Sequence, residues 1–350
     1  MQKKIAILAM ITILVLAAFV LVYFVYPRQT QSKRYQSSYF DLFDTYTELI
    51  VYAADEAQAQ AMIAVAKDEL TVCHQLFDIY NDYDGINNLK TINDNAGLAP
   101  VQVDERIIDL LVFSKEMYQK TDGQMNVAMG SVLALWHDKR TAGLADPDNA
   151  ELPDMEALTE AAQHMDIENL IIDEQAMTVY LADPLMQLDV GAVAKGYATE
   201  RAAQLMADAG AQSALLSVGG NVRAIGQRAD GTAWQVGVQN PDLDADETYI
   251  ATVALLNSSM VTSGSYQRYY TVDGVRYHHI IDPNTLMPAD YAQSVTILAE
   301  NSGIADALST ALFTVSVEQG KKILQQFDNV QALWVIQDGE IIRTDGFTTE

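Results

Sequence analysis

From Ile5 to Tyr26 the chain carries no charged side chain, and nearly every residue of the run is apolar. A bilayer-spanning helix needs about 20 such residues, so the run is long enough to divide the chain into a membrane part and a part that folds on one side of it. A cleaved export signal has a shorter apolar stretch, about 7–15 residues, ending in a small-residue cleavage site. Here Ala17 and Ala18 are followed by further Phe, Val and Tyr side chains, so the reading is an uncleaved anchor over residues 1–27. Lys3 and Lys4 precede the run and Arg28, Lys33 and Arg34 follow it. On the positive-inside rule the amino terminus stays inside, and the rest is the extracytoplasmic part of a single-pass cell-membrane protein.

The remaining chain has the means to build a large core, since 49% of the 350 residues are apolar. A net charge of -26 repels nucleic acid and anionic lipid headgroups, which excludes them as partners. The single cysteine, Cys73, excludes an intramolecular disulfide and falls on the apolar face of a predicted helix, where a thiol acts as a small hydrophobe.

Residues 28–38 are polar and without periodicity and read as a tether, with one folded domain over residues 39–350. Thr45–Tyr52 alternates as a strand does, and Asp55–Phe77 sets Met62, Ala66, Leu70, Cys73 and Phe77 at helical spacing. Further helices are predicted over Glu105–Lys120, Ala194–Asp208, Gly303–Thr314 and Val317–Phe327. Strands are predicted over Ala214–Val218, Trp234–Val238, Tyr249–Leu255, Arg276–Ile281 and Ser294–Leu298, with a hairpin at Leu170–Tyr180 and an acidic surface loop at Thr141–Asp154. The class is α+β, without internal repeats.

Four stretches could carry chemistry. Leu188–Thr199 places Asp189 and a glycine at a strand end before a helix containing Lys195, a turn that offers backbone groups and a helix N-terminus to an anion. By itself such a turn is common, and Lys195 could be an ordinary solvated lysine. Leu215–Asn221 carries two glycines that permit close backbone approach or simply make a turn. Met260–Asp290 gathers Ser263, Arg268, His278, His279 and Asp282; strand alternation sends the two histidines to opposite faces, so that one can do acid–base work in a cleft, or both are ordinary strand histidines. Gly303–Thr314 sets Asp306 and Thr310 four residues apart on one helix face. Hard oxygen donors of that kind suit Mg²⁺, although Asp306 alone would also be at home in a first helical turn.

Taken together and in this order, Phe43–Thr45, Phe77–Asn81, Met125–Trp136, Asp189–Ala198, Ser217–Val222, Trp234–Pro241, Thr262–Pro288 and Ala305–Leu312 resemble the ApbE-like FAD:protein FMN transferases. The resemblance implies one large α+β domain with FAD in a cleft and Mg²⁺ at its pyrophosphate. It implies metal ligation by the carbonyl of Ala192 and the side chains of Asp306 and Thr310. FAD contacts are implied for Phe43, Tyr80, Met125, Asn126, Val127, Asp189, Lys195 and Ile280, and His279 is implied as base or substrate orienter, with Asp282 orienting it. The partner so implied is an acceptor protein, an extracellular or membrane electron-transfer subunit, whose threonine hydroxyl takes FMN while AMP leaves.

The chain departs from the family pattern at Asn126, at Asp84-Gly85, at Ser265 and at Leu286, which puts the choice of acceptor in question more than the fold. Two rival readings share the same sites: an FAD pyrophosphatase, in which water replaces the threonine, and a non-catalytic flavin-binding surface protein.

Overall fold

The alternating run that begins at Thr45 buries Leu49 and Val51 in one apolar layer and Ile50 in another. Successive side chains of a strand point to opposite faces, so this segment alone requires a sheet covered on both sides. The computed structural model describes residues 32–349. In chain order, β1 (Lys33–Leu42), β2 (Thr45–Ala53), α1 (Glu56–Leu76), α2 (Leu89–Asp94), β3 (Val101–Gln102), α3 (Glu105–Lys120), α4 (Gly130–Ala145) and α5 (Met155–Ala161) form the first part. β4 (Leu170–Asp173), β5 (Thr178–Leu181), α6 (Ala194–Asp208), β6 (Ser213–Val218), β7 (Asn221–Gly226), β8 (Trp234–Gln239) and β9 (Tyr249–Leu255) follow. The last part is β10 (Ser259–Gly264), β11 (Tyr269–Val272), β12 (Val275–His278), β13 (Ala292–Ala299), α7 (Ser302–Phe313), α8 (Val317–Leu324), β14 (Gln331–Ile336) and β15 (Ile341–Arg343).

Eight strands make one antiparallel sheet in the order β1-β2-β6-β7-β10-β13-β14-β15. Helices α1, α6 and α7 pack on one face, where Leu49, Leu216, Val261 and Ile297 are buried. The β8–β9 hairpin covers the other, with Trp234, Val238, Val253 and Leu255 against Ile50, Val222, Met260 and Leu333. Cys73 is fully buried in the helical layer, and burial pushes its thiol up to about 12, which leaves it inert as a nucleophile. A smaller apolar cluster joins α4 to the segment around β11, with Trp136 and Tyr270 at its centre; Trp136 Nε1 donates to the carbonyl of Leu286 at 2.9 Å.

The α+β class is as expected, and α3 and α6 occupy the predicted residues. Three expectations change. The polar tether gives way to β1 at Lys33, because that segment pairs with β2 from Lys33↔Ala53 onward and so satisfies its backbone groups in a ladder. The loop expected from Thr141 is helical to Ala145. No strand runs into the turn at Leu188–Asp189, where one was expected to end; Gln187 makes one isolated bridge with Met129. The anchor over residues 1–27 lies outside the described residues, among which no helix is long and apolar enough to cross a membrane.

Candidate active site

Two tight turns meet at one end of the sheet. The β6–β7 turn is Gly219-Gly220, both at positive φ, as a two-residue hairpin loop that follows the twist of its strands requires. The β1–β2 turn uses Phe43 and Asp44 instead, at φ 52° and 51°, a conformation costly for a bulky side chain. The Phe43 N–H donates to His74 Nδ1 at 3.2 Å and its ring meets the imidazole edge-on, which holds the turn in place. Between these turns, the start of α6, the end of β10 and one face of α7 lies a cleft of about 460 Å³, within the range of small-molecule sites.

The floor is built where α6 begins. Val193 supplies no side-chain cap, so the first N–H groups of the helix need partners from elsewhere. The Gly196 N–H donates to Asp306 Oδ2 of α7 at 2.7 Å. A Cβ at Gly196 would collide with the Ser302 carbonyl and Asp306 Cβ, so glycine is what lets the two helices touch here. Asp306 is buried, which pushes its carboxyl above the usual range, while Lys195 and the Gly196 N–H oppose the shift.

Beside it, hydroxyls form a directed chain. Ser309 Oγ donates to the Asp306 carbonyl at 2.8 Å, so it accepts from Ser263 Oγ at 2.7 Å. With the Ser263 proton committed, its oxygen can only accept from Thr310 Oγ1 at 3.4 Å. Thr310 thereby keeps lone pairs toward the cleft, next to the carboxylate of Asp306.

The two histidines divide by tautomer. His278 Nδ1 accepts the Ile280 N–H at 3.2 Å, so its Nε2 carries the proton and donates to the Ala289 carbonyl at 2.8 Å; both nitrogens are spent. His279 Nδ1 lies 3.2 Å from the Arg268 carbonyl and must donate to it, which leaves Nε2 as a free acceptor. Burial in the cleft, then the nearby Arg268 charge, lower the His279 ring to about 3, so it is neutral at physiological pH. His279 lies just past the end of β12, and both histidines line the cleft instead of facing opposite ways.

Phe43, Tyr80, Met125, Asn126, Asp189, Ala192, Lys195, Ile280, Asp306 and Thr310 all line this cleft. Asp189 Oδ1 accepts the Gly191 N–H at 2.8 Å; burial raises its carboxyl, opposed by that N–H and by His137, Lys195 and Arg140. Asn126 is committed locally, accepting from the Ala128 N–H and donating to the Met165 carbonyl. Two expected residues lie elsewhere. Val127 turns its side chain into the core, 1% exposed, and only its carbonyl supports the site by accepting the Asp189 N–H at 2.9 Å. Asp282 is buried and accepts from the Asn284 backbone N–H at 2.8 Å and side chain at 3.1 Å; it shapes a turn, and the Arg268 carbonyl orients His279 in its place.

A model of the ApbE family matches residues 43–334. The chain belongs to the ApbE family. It is 36% identical over 272 residues to an FAD:protein FMN transferase of Treponema pallidum, covering 74% of this chain and 73% of that one. To one of Klebsiella pneumoniae it is 32% identical over 299 residues, 84% and 87% of the two chains. The crystal structure of the ApbE protein from Thermotoga maritima superimposes with a TM-score of 0.78 at 31% identity, over 89% of this chain and 97% of that one.

Within this ApbE fold the cleft also contains residues that sequence reasoning passed over. Arg140 on α4 sits in a charged run that reads as a solvated face, yet it lines the cleft, and its guanidinium donates to His137 Nδ1 at 3.1 Å. His137 in turn stacks on Tyr80 at 5.2 Å. Asn221, just after the Gly219-Gly220 turn, lines the cleft and is buried, with its Oδ1 unpartnered among the described residues.

Proposed function

We infer that the cleft transfers the FMN half of FAD to a threonine hydroxyl of an acceptor protein and releases AMP. The observation that carries the reading is the juxtaposition of a free His279 Nε2 with an oxygen site at Asp306 and Thr310 in one cleft, in a chain of the ApbE family. The relatives named FAD:protein FMN transferase support it.

A divalent ion fits the residues present. Among the described residues no group of three or more His, Cys, Asp or Glu side chains could hold a metal. A sparse site of one buried carboxylate, one hydroxyl with outward lone pairs and the Ala192 carbonyl leaves positions for phosphate and water oxygens, as Mg²⁺ prefers. Bound there, the ion supplies positive charge to the phosphates of FAD.

The chain's own residues do the rest. Lys195, in the first turn of α6, brings a cation to the pyrophosphate. His279 Nε2 takes the proton of the attacking hydroxyl; its ring, lowered to about 3 in the free enzyme, is a weak base there, and the negative phosphates of bound FAD raise it toward the range in which a general base is effective. The hydroxyl oxygen bonds to the FMN phosphorus, the P–O bond to AMP breaks, and its electron pair leaves with AMP, the products being phospho-linked FMN and AMP. Positioning of the in-line groups contributes the larger share, as in phosphoryl transfer generally.

We also propose that the apolar run from Ile5 to Tyr26 anchors the enzyme with its cleft outside the cell, facing an extracytoplasmic electron-transfer acceptor. Its length and the charges before it support this. The experiment is to incubate the full chain with FAD, Mg²⁺ and a threonine-bearing acceptor, weighing the acceptor intact while quantifying AMP. A gain of one FMN per AMP, absent in Asp306→Ala, is the expected result; AMP with free FMN and an unmodified acceptor would favour the pyrophosphatase.

A further inference from the structure

Phe43 and Tyr80 reach the cleft from separate segments that a side-chain relay ties together. His74, in the last turn of α1, accepts the Phe43 N–H on Nδ1 at 3.2 Å. Its proton therefore sits on Nε2 and goes to the Tyr83 hydroxyl oxygen at 3.5 Å, where the two rings also meet edge-on. The Tyr83 hydroxyl gives its own proton to Asp78 Oδ2 at 2.8 Å. Asp78 Oδ1 in turn accepts the backbone N–H groups of Tyr80 at 2.6 Å and Asn81 at 3.1 Å. Each bond can run only one way, since a backbone N–H donates at one end and a carboxylate accepts at the other. Burial, then the bond to Asp78, push the Tyr83 phenol up to about 12, so it keeps the proton that the relay uses.

Phe43 sits at φ 52°, a conformation that a bulky residue keeps only when its surroundings hold it. Phe43, His74, Asp78 and Tyr80 line the cleft, whereas Tyr83 stands outside the lining. We propose that Tyr83 is a positioning residue for FAD: through Asp78 and His74 it holds Tyr80 and Phe43 where their rings pack on a flat ring of the nucleotide. The inference rests on the reading that the cleft binds FAD. Without the hydroxyl, Asp78 loses a donor and His74 Nε2 loses its acceptor. The imidazole can then carry its proton on Nδ1, which opposes the Phe43 N–H and releases the turn.

The test uses the full chain and Tyr83→Phe, which keeps the ring and its packing, with a thermal melt to show that the variant folds. Amide hydrogen exchange is read without ligand, and FAD affinity by flavin fluorescence. The expected result is exchange about tenfold faster at Phe43 and Tyr80, with α6 and α7 unchanged, and an FAD dissociation constant raised about two- to tenfold. Repeating the change in Phe43→Ala and Tyr80→Ala backgrounds separates positioning from general stability. Once the ring that Tyr83 positions is gone, the rise shrinks or disappears in at least one background. Parental exchange rates at both amides, or a rise that persists in full in both backgrounds, overturns the proposal. No FAD binding by the parent chain sinks the FAD reading and the positioning role with it, and the exchange rates tell that result from a failed relay.

Discussion

The carboxylate of Asp306 accepts the backbone N–H of Gly196 at 2.7 Å across 110 residues of sequence. One oxygen of the carboxyl caps α6 from outside the helix, and the other remains for the cleft. The same side chain thus joins the packing of α6 and α7 to the chemistry of the site.

Gly196→Ala tests that packing. In an open helix the change would stabilise by about 1 kcal/mol, but here the new methyl meets the Ser302 carbonyl and Asp306 Cβ. Overpacking of this kind costs about 1–3 kcal/mol, so the net expectation is a lower melting temperature together with reduced transfer. An unchanged or raised melting temperature would mean that the helices can separate freely.

Asp306→Asn keeps the shape and an acceptor for the Gly196 N–H while removing the charge. Because burial disfavours that charge, thermal stability should stay within about 1 kcal/mol of the parent or rise. FMN transfer should fall by about 10²-fold or more, and binding of Mn²⁺, followed by its electron paramagnetic resonance, should be lost. An Asn variant with near-parental transfer would remove Asp306 from the metal site.

His279 gives the free enzyme a pH signature. Its ring is lowered from the ordinary 6.5 to about 3, by burial first and then by Arg268, His278 and Arg140 around it. Below pH 6.5 the unfolded chain takes up a proton that the folded chain refuses until about 3, so this residue makes stability fall as pH drops through that window and leaves it flat above. Denaturant titrations at pH 7 and 4.5 should show a larger loss for the parent than for His279→Gln. Equal losses would show that the folded imidazole titrates normally.

Asp282→Ala separates turn from catalysis. Losing the acceptor for the Asn284 N–H in a buried turn should cost about 1–3 kcal/mol, read in urea denaturation. Since His279 is held by the Arg268 carbonyl, transfer by the folded fraction should fall far less than in His279→Ala. Equal loss of turnover in the two variants would restore Asp282 to the reaction itself.

Much of this arrangement was legible in the chain. The strands and helices read from period 2 and period 3.6 are present, because both faces of the sheet and the inner faces of α1, α3, α6 and α7 are buried. Asp189, Lys195, His279, Asp306 and Thr310 lie in motifs that are ordinary one by one and gain roles through the family resemblance of the whole series, and all line one cleft. β1 was hidden because an edge strand with one exposed face shows little apolar alternation. Arg140 was hidden because a charged side chain in the polar run His137–Arg140 looks solvated until another segment is laid over it.

Local sequence determined which segments are helix or strand, since backbone period and capping are settled by neighbours a few residues apart. It also determined the chemical inventory of the site. Only tertiary structure decided how that inventory is used: which nitrogen of His279 is free, that Asp282 serves a turn, that Val127 faces the core, and that Gly196 and Asp306 meet. Hydrogen-bond direction and burial depend on partners brought from distant segments, and a local pattern does not contain them.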